Sequence, residues 1–303
     1  MTDEHPATIT RVGLTAKRGL TAASGVIAEL AGWLDARGVR AVFEEETARL
    51  AGVPTDRPTV TRDDLPRECD LVVVLGGDGT LIGMAARIAA AEVDVPILGV
   101  NFGSLGFLTE ITLPELYDAL EATLEGRAAI EPRAMLTSRT IRQHAVFADH
   151  AVLNDIVITK GALSRIIEIS VMVGEAPVTR FRADGLIIAS PTGSTAYNLA
   201  AGGPIVHPAV DAMVLTPIAP HTLTNRPVVI PGSSQVHVRP IMDARDEVFV
   251  TFDGQRGFEL HENDMITVRR APRPVRMVKS ARRSYFDLLR EKLTWGGEPP
   301  LRT

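Results

Sequence analysis

A chain of 303 residues, 45% hydrophobic and 23% charged, is long enough for two domains with separate cores and has the balance of a soluble globular protein. Its formal net charge of −5 leaves no basic footprint, which argues against nucleic acid and against an anionic membrane as general partners. The single cysteine, Cys69, excludes an internal disulfide and a multi-cysteine metal site and reads as a buried thiol. No apolar run reaches the roughly 18 residues of a membrane span, the first residues are polar without a signal peptide, and a reducing cytoplasm fits these features.

Residues 9–14 predict a first strand, followed by the polar loop Thr15-Ala16-Lys17-Arg18-Gly19, whose basic pair is either a solvated loop or a phosphate contact. Residues 22–37 carry Val26, Ile27, Leu30 and Leu34 at helical spacing and stop at Gly38. Residues 39–43 predict a second strand, Glu44-Glu45-Glu46 a solvated face, and 52–66, with three prolines, a loop. Leu71-Val72-Val73-Val74-Leu75 then predicts a strand buried on both faces, as in a parallel sheet. Gly76-Gly77-Asp78-Gly79-Thr80 follows, and 80–91 is Ala-rich and helix-like. Glycines let the backbone turn sharply and lie close to a ligand, while a helix N-terminus adds unpaired N–H groups and its dipole. A carboxylate is out of place at such an anion site unless a proton or a metal needs it. The stretch therefore reads as a phosphoryl-transfer centre; the alternative is a turn in which Asp78 is a helix cap.

Residues 95–100 predict another buried strand, leading to a second glycine-rich loop, Asn101-Phe102-Gly103-Ser104-Leu105-Gly106-Phe107-Leu108. Ligands of open α/β sheets sit beyond the carboxyl ends of strands, so both loops belong on one sheet edge. Thr112 and Pro114 open a helix over 113–124, which Gly126 closes. From about residue 130 the pattern changes to short strands: 138–142, 144–147, 151–159, 166–173, 179–181, 185–189, 228–230, 235–240, 248–252 and 265–270. With helices only at 193–201 and 284–293, this predicts an all-β second domain.

Asn154-Asp155 falls inside the predicted strand 151–159. Adjacent side chains there point to opposite faces, so at least one enters a core or pocket, where an unpartnered polar group costs about 1–3 kcal/mol. A bound polar ligand and a strand end satisfied by backbone account for the pair equally well. Arg180 and Arg182 share a strand face suited to an anion, to which Arg165 adds, and Asp184-Gly185 marks a tight turn. Pro191-Thr192-Gly193-Ser194-Thr195-Ala196-Tyr197-Asn198-Leu199 is a hydroxyl-rich turn before a helix, suited to ribose or phosphate, with Tyr197 placed to flank a base. Ser194 with His207 is not a nucleophile pair, because the Gly-x-Ser-x-Gly elbow and an orienting acid are missing. Asp253-Gly254-Gln255 reads as a hairpin turn.

Taken in order, the turn at Gly76–Thr80, the loop at 101–108, Asn154-Asp155, Asp184-Gly185, the stretch 191–197, Ala200-Ala201-Gly202-Gly203-Pro204-Ile205-Val206 and Asp253-Gly254-Gln255 resemble the motif set of the NAD kinase family. The Gly-Gly-Asp-Gly-Thr turn alone is shared with diacylglycerol, sphingosine and 6-phosphofructo kinases; the Pro-Thr-Gly-Ser-Thr-Ala-Tyr stretch is far more specific. The resemblance covers roughly residues 70–260. It implies a Rossmann-like α/β N-terminal domain (1–128), an all-β, sandwich-like NAD-binding domain (129–275), and a tail (276–303) returning to the first. It implies transfer of the terminal phosphate of ATP, or of polyphosphate, to the 2′-hydroxyl of the adenosine ribose of NAD, aided by Mg²⁺ or another divalent metal. It also implies a homo-oligomer, dimer or tetramer, with NAD held between domains near a subunit contact.

Carried over by position, Asp78 is the proton acceptor and Gly79 lies against NAD; Asn154, Asp155, Arg165, Arg182, Asp184, Thr195, Ala196, Tyr197, Asn198, Leu199, Ala200, Ala219 and Gln255 line the dinucleotide pocket. Metal ligands are not assigned. Asp155 stands where the family usually has Glu, Gly83 where many members carry a basic residue, and Arg182 resembles members that prefer NAD over NADH. A lipid kinase would want an apolar acyl pocket or a basic membrane face, neither visible; a nucleotide sensor without turnover would not need Asp78. Read as a surface turn residue, Asp78 is expected to be replaceable by Asn with little effect on stability.

Overall fold

The computed structural model describes residues 9–54, 56–161, 165–222, 224–242 and 246–295. The chain forms two compact units, Met1–Pro132 with Val275–Thr303, and Arg133–Pro274.

In the first unit, strands β1 (Arg11–Ala16), β2 (Arg40–Glu44), β3 (Thr59–Val60), β4 (Leu71–Gly76), β5 (Ile97–Asn101), β6 (Ile111–Thr112) and β7 (Ile130–Arg133) alternate with helices α1 (Ser24–Asp35), α2 (Glu45–Ala51), α3 (Asp78–Ala91) and α4 (Leu116–Leu124). The sheet runs β3-β2-β1-β4-β5, then the strand Val275–Val278, then β7, with β6 also on β5. From β3 to β5 the pairing is parallel. The whole of β4 is buried, as its unbroken aliphatic run requires. Ile27, Leu30 and Leu34 of α1 bury the stripe set by their spacing against Leu14, Phe43 and Val73. The strand order reverses between β1 and β4, so the loops after these two strands flank a switch point.

Three sequence expectations change. Glu44-Glu45-Glu46 is not a solvated face: Glu44 is 3% exposed, accepts from the N–H groups of Glu46 and Thr47 to cap α2, and is paired with Arg62 at 3.0 Å. A carboxylate placed at a helix N-terminus with an arginine partner is favourable enough to be buried. The loop over 52–66 contains β3, and the 3₁₀ turn Leu65–Arg67 starts at its end. The helix expected over 113–124 opens as the 3₁₀ turn Leu113–Glu115, closed by a capping box between Thr112 and Glu115.

The strand Val275–Val278 lies parallel to β5, with Met277 opposite Ile97. Just beyond it, Lys279 forms a buried ion pair with Glu110 (8% and 2% exposed). Arg283 pairs with Glu115 at 2.8 Å, ahead of the helix Tyr285–Leu293 capped by Ser284. Removing the cation of a buried pair typically costs about 3–5 kcal/mol. Lys279→Met should therefore destabilise by about that amount in urea unfolding, and Glu110→Leu in the same chain should recover most of the loss.

The second unit contains β8 (Leu136–Arg142), β9 (Ala145–Val152), β10 (Asp155–Lys160), β11 (Ile167–Val173), β12 (Ala176–Ala183), β13 (Gly185–Ala189), β14 (Ala212–Ile218), β15 (Val228–Pro231), β16 (Gln235–Ile241), β17 (Val248–Phe252), β18 (Arg256–Leu260) and β19 (Met265–Arg270). One sheet is ordered β15-β14-β13-β10-β17-β18 and the other β12-β11-β16-β19-β8-β9. Ile156, Leu186 and Val250 from the first share a core with Ile169, Val238 and Ile266 from the second. The strand expected over 151–159 is two strands in different sheets: β9 ends at Val152, Leu153-Asn154 bend, and β10 begins at Asp155. The helix expected over 193–201 is a 3₁₀ turn, Thr192–Thr195, followed by α5 (Tyr197–Ala200).

Candidate active site

Asp78 is the first residue of α3, directly beyond the carboxyl end of β4. Its Oδ2 accepts from the Phe107 N–H at 2.8 Å. Its Oδ1 accepts from the N–H groups of Leu108 (3.1 Å) and Thr109 (3.0 Å) and from the Thr109 hydroxyl (2.9 Å). The 101–108 loop is thus tied to the Gly-Gly-Asp turn. Asn101 braces it from within: its amide donates to the Ser104 carbonyl and Thr109 Oγ1, and its Oδ1 accepts from the Gly103 N–H. Gly106 is obligatory here, since a Cβ would lie 1.9 Å from Asp78 Oδ1. The expectation that Asp78 sits in a surface turn where Asn would cost little stability gives way: the side chain is half-buried and four donors converge on it. The turn's other glycines behave differently. A Cβ on Gly77 or Gly79 would meet nothing within 4 Å, and neither has a positive φ.

In the second unit Asp253 plays a similar part. Asp253 and Gly254 both adopt left-handed backbone (φ 52° and 62°). The Asp253 carboxylate accepts from the N–H groups of Leu153 (2.9 Å), Asn154 (2.7 Å) and Asp155 (3.1 Å), while its own N–H donates to the Asp155 carbonyl. Sequence reading saw only a hairpin turn in Asp253-Gly254, and nothing local in the sequence marked its carboxylate as the acceptor for a bend about a hundred residues away. Gly193 packs flat on this bend, where a Cβ would lie 2.1 Å from the Asn154 carbonyl oxygen. Ser190 donates to the Leu153 carbonyl at 2.5 Å and accepts from the Gly193 N–H.

Asp155 is 4% exposed. Burial, then the nearby Asp253 charge, push its carboxyl up to about 7. Burial also raises Asp253, with its three N–H donors opposing.

The remaining expected site residues divide by depth and position. Asn198 is fully buried; its amide donates to the Ser194 and Pro204 carbonyls and its Oδ1 accepts from Thr216. It holds the turn together rather than facing solvent. Thr195, Ala196 and Leu199 are half-buried, and Tyr197 (46%) and Ala200 are exposed. These residues, with Asn154, Asp155 and the exposed Gln255, gather at the end of the sheet where Asp155 pairs with Ala189. Asp184, Arg182 and Ala219 lie at the opposite end, where Gly185 pairs with Thr159 and Ile218. Arg165, exposed, precedes β11, whose first residue pairs with Ala183, and belongs with this second group. The two ends are four residue steps apart along β10 and β13, about 14 Å at ~3.4 Å each. Arg180, offered as an anion contact, is paired with Glu168.

Two family models match this chain: the ATP-NAD kinase N-terminal domain over residues 12–128 and the ATP-NAD kinase C-terminal domain over 153–280. The chain belongs to the NAD kinase family. It is 48% identical to an NAD kinase of Geotalea daltonii over 272 residues, covering 90% of this chain and 94% of that one. It is 45% identical to an NAD kinase of Syntrophotalea carbinolica over 287 residues, covering 94% and 99%. Its fold is similar to that of yeast NADH kinase complexed with NADH (TM-score 0.87, 24% identity, 98% of this chain and 91% of that one). It is also similar to that of an Archaeoglobus fulgidus NAD kinase in complex with ATP (TM-score 0.73, 23% identity, 94% and 98%).

A carboxyl raised in the folded state stabilises fully below its unfolded pKa, about 3.9, and loses that contribution as pH rises through about 7. Asp155→Asn should therefore melt higher than the wild type at pH 8, by several degrees at ~2–4 °C per kcal/mol, with the difference shrinking toward pH 4–5. Thermal melts of both proteins across pH 4.5–8.5 check this.

Proposed function

We propose that the chain is a kinase that transfers the terminal phosphate of ATP to the 2′-hydroxyl of the adenosine ribose of NAD, giving NADP. The observation that carries this is the contrast among glycines around Asp78. Gly106 is glycine because the fold leaves no room, whereas Gly77 and Gly79 border open space with no backbone need for glycine. Gly79, in the first turn of α3, costs up to about 1 kcal/mol relative to alanine, and close approach of a ligand to the backbone is what returns it. A helix N-terminus at a switch point suits phosphate.

Phosphoryl transfer asks the protein mainly for alignment and charge placement. Asp78, fixed by four donors, is held in one orientation from which it accepts or orients the hydroxyl proton, and Gly79 leaves the nucleotide room to approach. The sheet order of the first unit supports a Rossmann-like reading, and the core shared by two antiparallel sheets supports a sandwich-like second unit. Asn154, Asp155, the turn at 195–200 and Gln255 form one NAD-binding group; Arg182, Asp184, Ala219 and Arg165 form another at the far end of the strands. A homo-oligomer, which the family resemblance implies, would let the groups of different copies face one another across a single dinucleotide. Among the described residues no three His, Cys, Asp or Glu side chains converge as a metal cage, so a divalent ion would arrive with the donor's phosphates.

The test separates chemistry from structure. Asp78→Asn keeps one acceptor oxygen and sets an NH₂ against backbone donors, so it should lower both Tm and kcat, the latter by about 10²–10⁴-fold. Thr109→Val removes one donor to Asp78 but leaves the carboxylate, so it should lower Tm while retaining most of kcat. NADP formation from NAD, ATP and Mg²⁺ is measured beside thermal melts. Equal kcat losses in the two variants would sink the proton-acceptor role.

A further inference from the structure

A second feature of the first unit is not used by the groups above. A cleft of about 470 Å³ opens beyond the carboxyl end of β1, lined by Ala16, Lys17, Arg18, Gly19, Glu46, Thr47, Arg49 and Leu50. Three of these side chains are cationic and one is acidic. Arg18 pairs with Glu46 at 2.8 Å, and Arg49 Nε donates to the Glu45 carbonyl. Lys17 is exposed and has no ion-pair partner among the described residues. Leu20, next to the cleft, turns back through Gly19 in left-handed backbone, so the loop is compact rather than trailing.

The backbone under Lys17 is held on every side. Its N–H donates to the Leu75 carbonyl of β4 at 2.8 Å. The Ala16 N–H donates to Thr47 Oγ1 at 2.9 Å, and the Ala16 carbonyl accepts from Arg62 at 3.0 Å. Arg62 is held by the buried Glu44, which also accepts from the Thr47 hydroxyl at 2.6 Å. Burial alone would raise the Glu44 carboxyl, but hydrogen bonds from Thr47 and Arg62 keep it below the usual range, so the clamp stays charged at neutral pH. A buried ion pair of this kind is poor value as stability alone; here it fixes where β1 ends. The consequence is placement: the Lys17 Cβ lies 3.1 Å from where a Cβ on Gly76 would be, beside Thr80. Lys17 therefore borders the first glycine of the turn that carries Asp78, on the β1 side of the switch point.

We propose that Lys17, with Arg49 and the Arg18–Glu46 pair behind it, forms a subsite for an oligophosphate chain, receiving donor phosphates that extend from the Gly-Gly-Asp turn into the cleft. This rests on the kinase reading for the position of the donor. The chain belongs either to the triphosphate of ATP or to an inorganic polyphosphate. A lysine contacts phosphate as a point charge without bidentate geometry, which suits a repeating anion better than a single fixed group.

Lys17→Met removes the charge and keeps the length, and Lys17→Arg restores the charge. In Lys17→Met the KM for ATP should rise about tenfold, the equivalent of ~1.4 kcal/mol, with the KM for NAD unmoved and the melting temperature unchanged, since the side chain is exposed. Lys17→Arg should recover most of the ATP KM. In the absence of NAD, titration calorimetry with inorganic tripolyphosphate should show binding to the wild type and a loss of about tenfold in Lys17→Met. Repeating the kinetics with long-chain polyphosphate as donor identifies the source: a rise confined to ATP assigns the subsite to the nucleotide's own triphosphate, and a rise with both donors assigns it to phosphate chains generally. Unchanged ATP KM and unchanged tripolyphosphate affinity in a folded Lys17→Met protein would overturn the subsite while leaving NADP formation, and so the kinase reading, intact. A wild type that makes no NADP yet loses tripolyphosphate binding on Lys17→Met would do the reverse.

Discussion

The first unit depends on one carboxylate accepting four hydrogen bonds. Asp78 stands at the end of β4, and its donors come from Phe107, Leu108 and Thr109, beyond the end of β5. Neighbouring parallel strands leave their terminal loops with unsatisfied N–H groups, which must find acceptors. A single ionised side chain supplies two oxygens and so gathers a whole loop, where a neutral acceptor would gather part of it. The same act fixes the acid itself. Gly106 and Thr109 have little freedom once Asp78 is placed, and Asp78 has one orientation once they are. An acid held in this way is rigid, at some cost in how readily the site tolerates substitution.

The second unit repeats the device with Asp253. Its left-handed backbone is unfavourable for a non-glycine residue, yet three N–H groups from the bend at 153–155 converge on its carboxylate. That bend is where the chain leaves one sheet for the other. Gly193 and Ser190 then press the hydroxyl-rich turn against it. The adjacent Asp155 pays for this arrangement: buried beside Asp253, its carboxyl is raised to about 7. An acid raised to about 7 at the head of β10 can either donate or accept a hydrogen bond near neutral pH.

Rigid acids and open glycines together describe how the turn is built. The positions that touch the fold are filled to contact, as at Gly106 and Gly76, and those that face outward, Gly77 and Gly79, are left bare. Lys17, whose Cβ borders Gly76, is set by a buried network whose members, Glu44, Thr47 and Arg62, contribute little as surface chemistry.

The sequence by itself determined the strands that are hydrophobic in every residue and the loops that follow them. The run 71–75 and the segments 185–189, 248–252 and 265–270 were legible because burial of a whole strand, or strict alternation, writes itself into residue type. The order of motifs was enough to place the chain in its family. What the tertiary structure decided was partnership. Glu44 looks like its neighbours Glu45 and Glu46, and only the approach of Arg62 and the start of α2 distinguish a buried cap from a solvated acid. Asn198 reads as a ligand contact until Thr216 and Pro204, from other segments, close on its amide. Leu153-Asn154 reads as strand interior because the aliphatics on both sides continue, while the switch between sheets depends on Asp253 about a hundred residues away. Local pattern records the average environment of a segment; a single hydrogen-bonded partner brought from elsewhere in the chain leaves no trace in it, and such partners decide which polar residues bear the structure and which stay free for the substrate.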